Sequence, residues 1–158
     1  RSTPRSSSAA SDVYKRHEVM YSPLSNGFDY EWVEFYNPND IAIFVNSWTI
    51  ADNEQKDNIV SEENEIITIP AKSVGILTSS PSTFRETYVN YKYIFSVEDI
   101  AIGNGLGTSE TIILSKNSYN DIFTYTSDDG ANGNGKTLTR SCYNCADWSE
   151  AVSSPGIL

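Results

Sequence analysis

The feature that most constrains this chain is a series of short runs rich in Val, Ile, Tyr, Phe and Thr, each bounded by Gly, Pro, Asn or Asp. After an opening run VYKRHEVMY, these runs are EWVEFY, IAIFVNSWTI, NEIITI, SVGILTS, YKYIFS, ETIILS, DIFTYT and KTLTR. β-Branched and aromatic residues favour strands, whereas the intervening residues favour turns. The pattern therefore predicts an all-β sandwich or barrel.

The organisation predicted from the sequence is one domain preceded by a short arm. A length of 158 residues suits a single domain with its own core. Residues 1–12 are Ser-rich and lack large apolar side chains, which predicts a flexible arm or linker before a domain spanning 13–158. One short helix is expected at 81–88, with Ser79 or Ser80 as its cap and Pro81 at its first position.

Charge is divided unevenly between the start of the chain and the rest. The net charge is −10, yet residues 1–16 carry Arg1, Arg5, Lys15 and Arg16 against Asp12, a net +3, so the remainder carries −13. An acidic body repels phosphate backbones, and duplex nucleic acid is not an expected partner. No stretch approaches the roughly 18–20 apolar residues of a membrane span, so no membrane-spanning helix is expected.

Glu31 and Glu34, in the sequence DYEWVEFYNPND, raise the question of a catalytic carboxylate pair. In a strand, Glu31 points with Val33 and Phe35, whereas Glu34 points to the opposite face. Their Cα atoms are also about 10 Å apart at the rise of an extended strand. The pattern therefore favours a strand whose Val33 and Phe35 enter the core over an acid and base pair.

The histidine and cysteine content offers little for catalysis. His17, the one histidine, lies in a predicted strand, and no nucleophile elbow accompanies it. Cys142 and Cys145 form a single CxxC without the second pair that a structural zinc needs. A local disulfide is expected, with two free thiols as the alternative, and a disulfide would indicate an oxidising compartment.

Two glycine-rich segments resemble ligand loops. GNGLGTSE lacks the Gly-Lys-Ser/Thr ending and the following helix of a phosphate loop, so a hairpin or bulge is expected. DDGANGNGK offers calcium candidates in Asp128, Asp129, Asn132 and Asn134, although the twelfth position is Thr139 or Arg140 rather than the glutamate of an EF-hand. No other cofactor is expected.

The order of motifs resembles the lamin-tail domain of the prokaryotic type. The resemblance covers nearly all of residues 17–156 and rests on HEVMYSP, DYEWVEFYNPNDIAIFVNSWTIAD, IPAKSVGILTS, GNGLGTSETIILSKNSYNDIFTYT, DGANGNGKTLTRSC and DWSEAVSSPG. Ser47 before Trp48, Ser154 before Pro-Gly and the CYNC insertion depart from the family pattern. The resemblance implies an immunoglobulin-like β-sandwich, no catalytic centre and an extracellular or cell-surface location.

Three functional hypotheses follow from these patterns. The first is a non-enzymatic structural or adhesion module that acts through protein-protein contacts, including self-association into a filament if Arg1, Arg5, Lys15 and Arg16 form an assembly arm that docks on another copy. The alternative is an accessory binding module excised from a larger secreted enzyme. A third class, ligand or polysaccharide binding, would depend on exposed Tyr and Trp.

Overall fold

The computed structural model describes residues 15–25, 27–62, 67–141 and 147–157, except the side chains of residues 15–17. Its one helix within these ranges is α1 (Pro81–Thr87), and short 3₁₀ turns span Phe28–Tyr30 and Ser127–Asp129. The strands are β1 (Lys15–Met20), β2 (Trp32–Tyr36), β3 (Ile43–Phe44), β4 (Thr49–Ala51), β5 (Lys56–Val60), β6 (Thr68–Ile69), β7 (Val74–Thr78), β8 (Ile94–Val97), β9 (Glu110–Lys116), β10 (Tyr119–Tyr125), β11 (Lys136–Arg140) and β12 (Trp148–Val152). The all-β prediction is confirmed.

Most strands form one large sheet that folds over itself. Its strand order is β10-β9-β4-β5-β8-β7-β2-β1-β11-β12, while β3 pairs separately with β6. β5 pairs with β4 on one side and with β8 on the other, so it is the corner between the two halves. The β7–β8 pair is parallel, and its connection contains α1. The result is a curled, sandwich-like sheet with its main core inside.

Both halves of the sheet contribute to that core. Val33 and Phe35 of β2 are fully buried within it, as the alternation of the sequence predicts. The Phe35 ring stacks on Trp48 at 5.9 Å between centroids and on Phe95 at 5.8 Å. Burying each such side chain contributes roughly 1.5–3 kcal/mol. The other half supplies further core side chains, among them Ile50, Ile112, Leu114 and Phe123.

The two terminal strands of the sheet approach each other through their side chains. Phe123 of β10 stacks on Trp148 of β12 at 3.9 Å between ring centroids. The Arg140 guanidinium lies 4.8 Å from the Trp148 ring centroid, and Asp121 is buried nearby. Burial lowers the pKa of Arg140, while the negative charge of Asp121 opposes that shift. This seam brings the ends of the curled sheet together.

Helix α1 covers the outer face of the half that contains β2. Its observed bounds agree with the prediction, with Ser80 at the N-cap and Pro81 at the first position. The Trp32 ring meets Phe84 edge-on at 5.8 Å and Tyr88 edge-on at 5.7 Å. This smaller apolar cluster comprises Met20, Trp32, Ile76, Phe84 and Ile94, with Tyr88 and Tyr91 packed against it.

Four local features differ from the predictions. The run IAIFVNSWTI is divided into β3 and β4 by a turn in which Ser47 has a φ of 66°. β5 was not predicted, because its sequence KDNIV is polar, with Asp57 and Ile59 buried and Lys56 and Asn58 exposed. β12 was likewise not predicted. The GNGLG segment connects β8 to β9, which are not neighbours in the sheet, so it is not a hairpin.

The C-terminal segment closes over two buried glutamates of the first strand pair. Glu18 and Glu34 lie opposite each other on β1 and β2, and both are fully buried. The Ser154 amide donates to Glu18 Oε1 at 2.8 Å, and the Gly156 amide donates to Glu34 Oε2. The last described residues thus supply hydrogen bonds to carboxylates near the start of the domain.

Ending the chain after Val152 should destabilise the domain, because the carboxylates of Glu18 and Glu34 lose these amide donors. Losing a partner of a buried polar group costs roughly 1–3 kcal/mol, so we expect the free energy of unfolding to fall by about 3 kcal/mol in urea denaturation. The control ends the chain after Gly156, keeps both amides and should stay close to the full chain. Equal stability of the two truncated chains would contradict this role.

Candidate functional site

Glu31 and Glu34 lie on opposite faces of the sheet, as predicted. Glu31 Oε2 accepts a hydrogen bond from the Leu106 amide at 2.8 Å, on the side of the main core. Glu34 accepts from the Gly156 amide on the outer side. Both carboxylates therefore bind backbone amides of distant segments, and they are not directed at a common point.

Three carboxylates hold the glycine-rich loop between β8 and β9. The Gly103 amide donates to Asp57 Oδ2 at 2.6 Å, the Asn104 amide to Asp52 Oδ2 at 2.8 Å and the Leu106 amide to Glu31. Consecutive amides in such a loop form a site for anions. Here the acceptors are carboxyl groups of the chain itself, and we call Glu31, Asp52 and Asp57 the carboxylate clamp.

Gly103 is required where the clamp meets the loop. Its φ is +60°, and a Cβ built there would lie 2.0 Å from Asp52 Oδ2. Glycine alone accepts a positive φ without a steric penalty and also leaves room for a carboxylate at the backbone. The position of this glycine is thus explained by its contact with Asp52.

Gly103→Ala should destabilise the domain by about 3 kcal/mol or more, because it combines a strained φ with displacement of the Asp52 carboxylate. Gly133→Ala is the matched control, since Gly133 has a φ of +67° and its nearest atom to an added Cβ is Ser22 Oγ at 3.7 Å. The control should lose only about 1 kcal/mol. Equal losses in chemical denaturation would show that the Asp52 contact contributes nothing.

The surroundings of Glu31 in the clamp favour its protonated form. Burial raises the pKa of Glu31 from 4.5 to about 8, and the Leu106 amide offsets part of this effect. Tyr125, whose hydroxyl donates to the Gly107 carbonyl at 2.9 Å, lies at the same end of the core. Burial, reinforced by the Glu110 and Glu31 charges, also raises the pKa of Tyr125. The clamp therefore holds a proton on Glu31 at neutral pH.

Stability should decline as the pH rises from 4.5 to 8, because folded Glu31 retains a proton that the unfolded chain releases near 4.5. Glu31→Gln keeps an acceptor for the Leu106 amide but carries no charge. At pH 9 we expect this variant to be more stable than the parent by on the order of 3 kcal/mol, with little difference at pH 4.5. Thermal denaturation across this range measures the change.

Glu31→Ala is the control for this pH series, because it removes both the charge and the acceptor. It should be less stable than Glu31→Gln at both pH values, because the Leu106 amide loses its acceptor. If Glu31→Gln followed the same pH dependence as the parent chain, Glu31 would not be the group responsible.

The predicted calcium candidates lie in a loop with its own internal hydrogen bonds. Asp128 and Asp129 belong to the 3₁₀ turn, where Asp129 accepts from the Thr126 amide at 2.8 Å. Asn132 Oδ1 accepts from the Ser22 hydroxyl at 3.4 Å. Within the described ranges, no group of three or more His, Cys, Asp or Glu side chains is arranged to hold a metal ion. Calcium binding stays a prediction.

Glu150 binds three groups of this loop, a role that the sequence analysis did not predict. It accepts hydrogen bonds from the Ala131 amide at 2.6 Å and from the Asn134 side chain at 2.7 Å. Lys136 forms an ion pair with it at 2.5 Å. These partners, led by Lys136, lower the pKa of Glu150 to about 2. Lys136 thus pairs its ammonium with Glu150, and the Asn134 side chain donates to Glu150 while its Oδ1 accepts from the Lys136 amide at 3.0 Å.

Of the remaining predicted site residues, only Lys15 and Arg16 belong to the described structure. Cys142 and Cys145 lie outside it, as do Arg1 and Arg5, so the disulfide and the arm stay predictions. Lys15 and Arg16 belong to β1 and pair with Tyr36 and Phe35 of β2. They are therefore part of the sheet and not of an arm. Residues 1–12 alone hold Arg1 and Arg5 against Asp12, a net charge of +1.

One outer face of the curled sheet is accessible. It is formed by β4, β9 and β10, where Ile122 and Thr124 are exposed and Ile113 is half-buried. Thr111 and Thr124 are linked across the strands by a hydrogen bond of 2.8 Å between their hydroxyl groups. We call this surface the open face; its members are Thr49, Ala51, Thr111, Ile113, Ser115, Asn120, Ile122 and Thr124.

Carboxylates lie at the ends of the strands beside the open face, in the β4–β5 turn, after β8 and at the start of β9. Glu54 accepts from the Asn104 side chain at 2.6 Å, and Asp99 accepts from the Gln55 side chain at 3.0 Å. Glu98 accepts from Asn58, which lowers its pKa. Burial raises the pKa of the partly covered Glu110. We call Glu54, Glu98, Asp99 and Glu110 the acidic rim.

None of the helices in the described part of the chain has the length and apolarity to cross a membrane. Comparisons with protein-family models, with curated proteins and with solved structures gave no match.

Proposed function

We propose that this chain is a non-enzymatic structural or adhesion module, outside the cell or on its surface, that acts through protein-protein contacts. The observation that carries the proposal is the open face beside the acidic rim. An accessible sheet surface with Ile113 and Ile122 among small polar residues offers a flat contact area. The acidic rim supplies negative charge at the border of this contact area.

The contacts of the buried carboxylates support a structural role for these side chains. Glu18, Glu31 and Glu34 each accept a hydrogen bond from a backbone amide of a distant segment. Asp52 and Asp57 do the same in the carboxylate clamp. These groups hold loops against the sheet, and the resemblance to the lamin-tail domain, which we retain as part of the proposal, implies the same kind of module.

The negative charge of the acidic rim favours a partner segment that carries positive charge. Exposed carboxylates attract Lys and Arg side chains and speed the encounter with them. The chain's own residues 1–12 contain Arg1 and Arg5, so the arm of a second copy is one source of such a segment. A contact of this kind is head-to-tail and propagates as a filament when it does not close. Self-assembly is the narrower form of the proposal.

Sedimentation velocity and electron microscopy of the full chain test this form. We expect concentration-dependent assemblies that weaken as salt is raised, because salt screens exposed charges. Deleting residues 1–12 should abolish them. Ile122→Lys should do the same, since it places a cation on the open face where the cationic arm would dock. Each change should reduce the assembled fraction at least tenfold.

The matched control is Val89→Lys, which adds the same charge at an exposed apolar residue that follows α1. Val89 is 69% exposed and Ile122 is 57% exposed. The control should assemble like the parent chain. Assemblies that survive both test changes would contradict docking of the arm on the open face. A monomer at every concentration would contradict self-assembly and favour the accessory binding module.

A further inference from the structure

A groove of about 320 Å³ lies where three segments of the chain meet. The turn before β7 forms one wall, the residues between α1 and β8 form another, and the C-terminal turn contributes Gly156. The groove is separate from the open face. We call it the Lys–Tyr groove; its lining includes Lys72, Ser73, Asn90, Tyr91, Lys92 and Tyr93.

The walls of the Lys–Tyr groove have a specific backbone geometry. Lys72, Asn90 and Gly156 have φ values of 52°, 74° and 80°, in the left-handed region. A Cβ built on Gly156 would lie 2.5 Å from Tyr91 Cε1, so the ring needs a glycine beside it. The Gly156 amide is bound to buried Glu34. These contacts hold the groove in shape before any ligand arrives, which reduces the entropy cost of binding.

Lys72 and Lys92 supply positive charge to the groove, while burial and then the negative charges of Glu34 and Glu18 raise the pKa of Tyr91 in its wall. Lys92 lies over the Tyr93 ring with its Nζ 5.6 Å from the centroid. Lys72 donates to the Pro38 carbonyl and pairs with Asp40 at 3.1 Å, but the Asp40 side chain is 93% exposed. Exposed ion pairs contribute little, so an incoming anion can share or replace this partner. The groove therefore suits a ligand that carries a carboxylate.

The neutral lining suits a ligand rich in hydroxyl groups. Tyr91 offers a hydroxyl group, Ser73 offers a hydroxyl oxygen whose hydrogen is donated to the Ala71 carbonyl at 3.1 Å, and Asn90 offers an amide that both donates and accepts. The volume lies near the lower end of the roughly 300–1,000 Å³ of small-molecule sites. β7, at the base of this region, is paired on both sides by β2 and β8, so it has no free edge for an added peptide strand.

We propose that the Lys–Tyr groove binds a carboxylated sugar, with the carboxylate at Lys72 and Lys92 and ring hydroxyls at Asn90 and Tyr91. This would be a second binding activity, separate from the protein contacts of the open face. A uronic acid, free or within a polysaccharide, has this chemistry. The two sources differ in length, so a monomer and a trimer of the same acid distinguish them.

Isothermal titration calorimetry with galacturonic acid and its linear trimer tests the proposal on the full chain. Saturable binding is expected for at least one of them, and the neutral galactose trimer should bind roughly tenfold more weakly because it lacks the charge-assisted contacts. Lys92→Gln should weaken acid binding by a similar factor. Lys56→Gln, at an exposed lysine on β5, is the control and should bind like the parent.

Amide chemical shifts of residues 72–74 and 90–93 should change during the same titration. Absence of saturable binding of either acid would overturn the proposal, as would equal binding by Lys92→Gln and the parent chain. Tighter binding of a triglutamate peptide than of the acid trimer would overturn the sugar class. Deletion of residues 1–12 should leave sugar binding unchanged, so this result is independent of self-assembly.

Discussion

Hydrogen bonds between buried carboxylates and backbone amides hold the irregular parts of this chain against its sheet. Burying a carboxyl group is costly unless hydrogen-bond partners in the protein replace its water. Glu31, Asp52 and Asp57 obtain donors from the loop between β8 and β9, and Glu18 and Glu34 obtain them from the C-terminal turn. The loops depend on the carboxylates, and the carboxylates depend on the loops, so both form only together with the fold.

The curl of the sheet determines which surfaces remain accessible. β5 turns the sheet at one corner, and the seam between Phe123 and Trp148 joins its ends. Helix α1 covers the outer face of one half with an aromatic cluster around Trp32. The outer side chains of β4, β9 and β10 stay exposed or half-buried. The fold thus separates a covered face, which stabilises the domain, from an open face available for contacts.

Charge is also distributed by the fold rather than uniformly over the surface. The acidic rim gathers carboxylates from the β4–β5 turn, from the end of β8 and from the start of β9. The Lys–Tyr groove brings together Lys72 and Lys92 from separate segments. The two proposals are compatible on one acidic chain, because salt screens exposed charges beyond a Debye length of roughly 8–10 Å.

The sequence by itself determined the local features: the all-β class, the inward direction of Val33 and Phe35, and α1 with Pro81 at its first position. Alternation and start signals act over a few neighbouring residues and can be recognised without the fold. Tertiary structure alone decided the carboxylate clamp, since Asp57 and Gly103 are 46 residues apart and Glu31 and Leu106 are 75 apart. Tertiary structure also decided β5, because its polar sequence forms a strand only by pairing with β4 and β8. The same holds for the groove, where Lys72 and Lys92 meet from separate segments. Such partners are set by the path of the chain in space, and spacing along the sequence carries no trace of them.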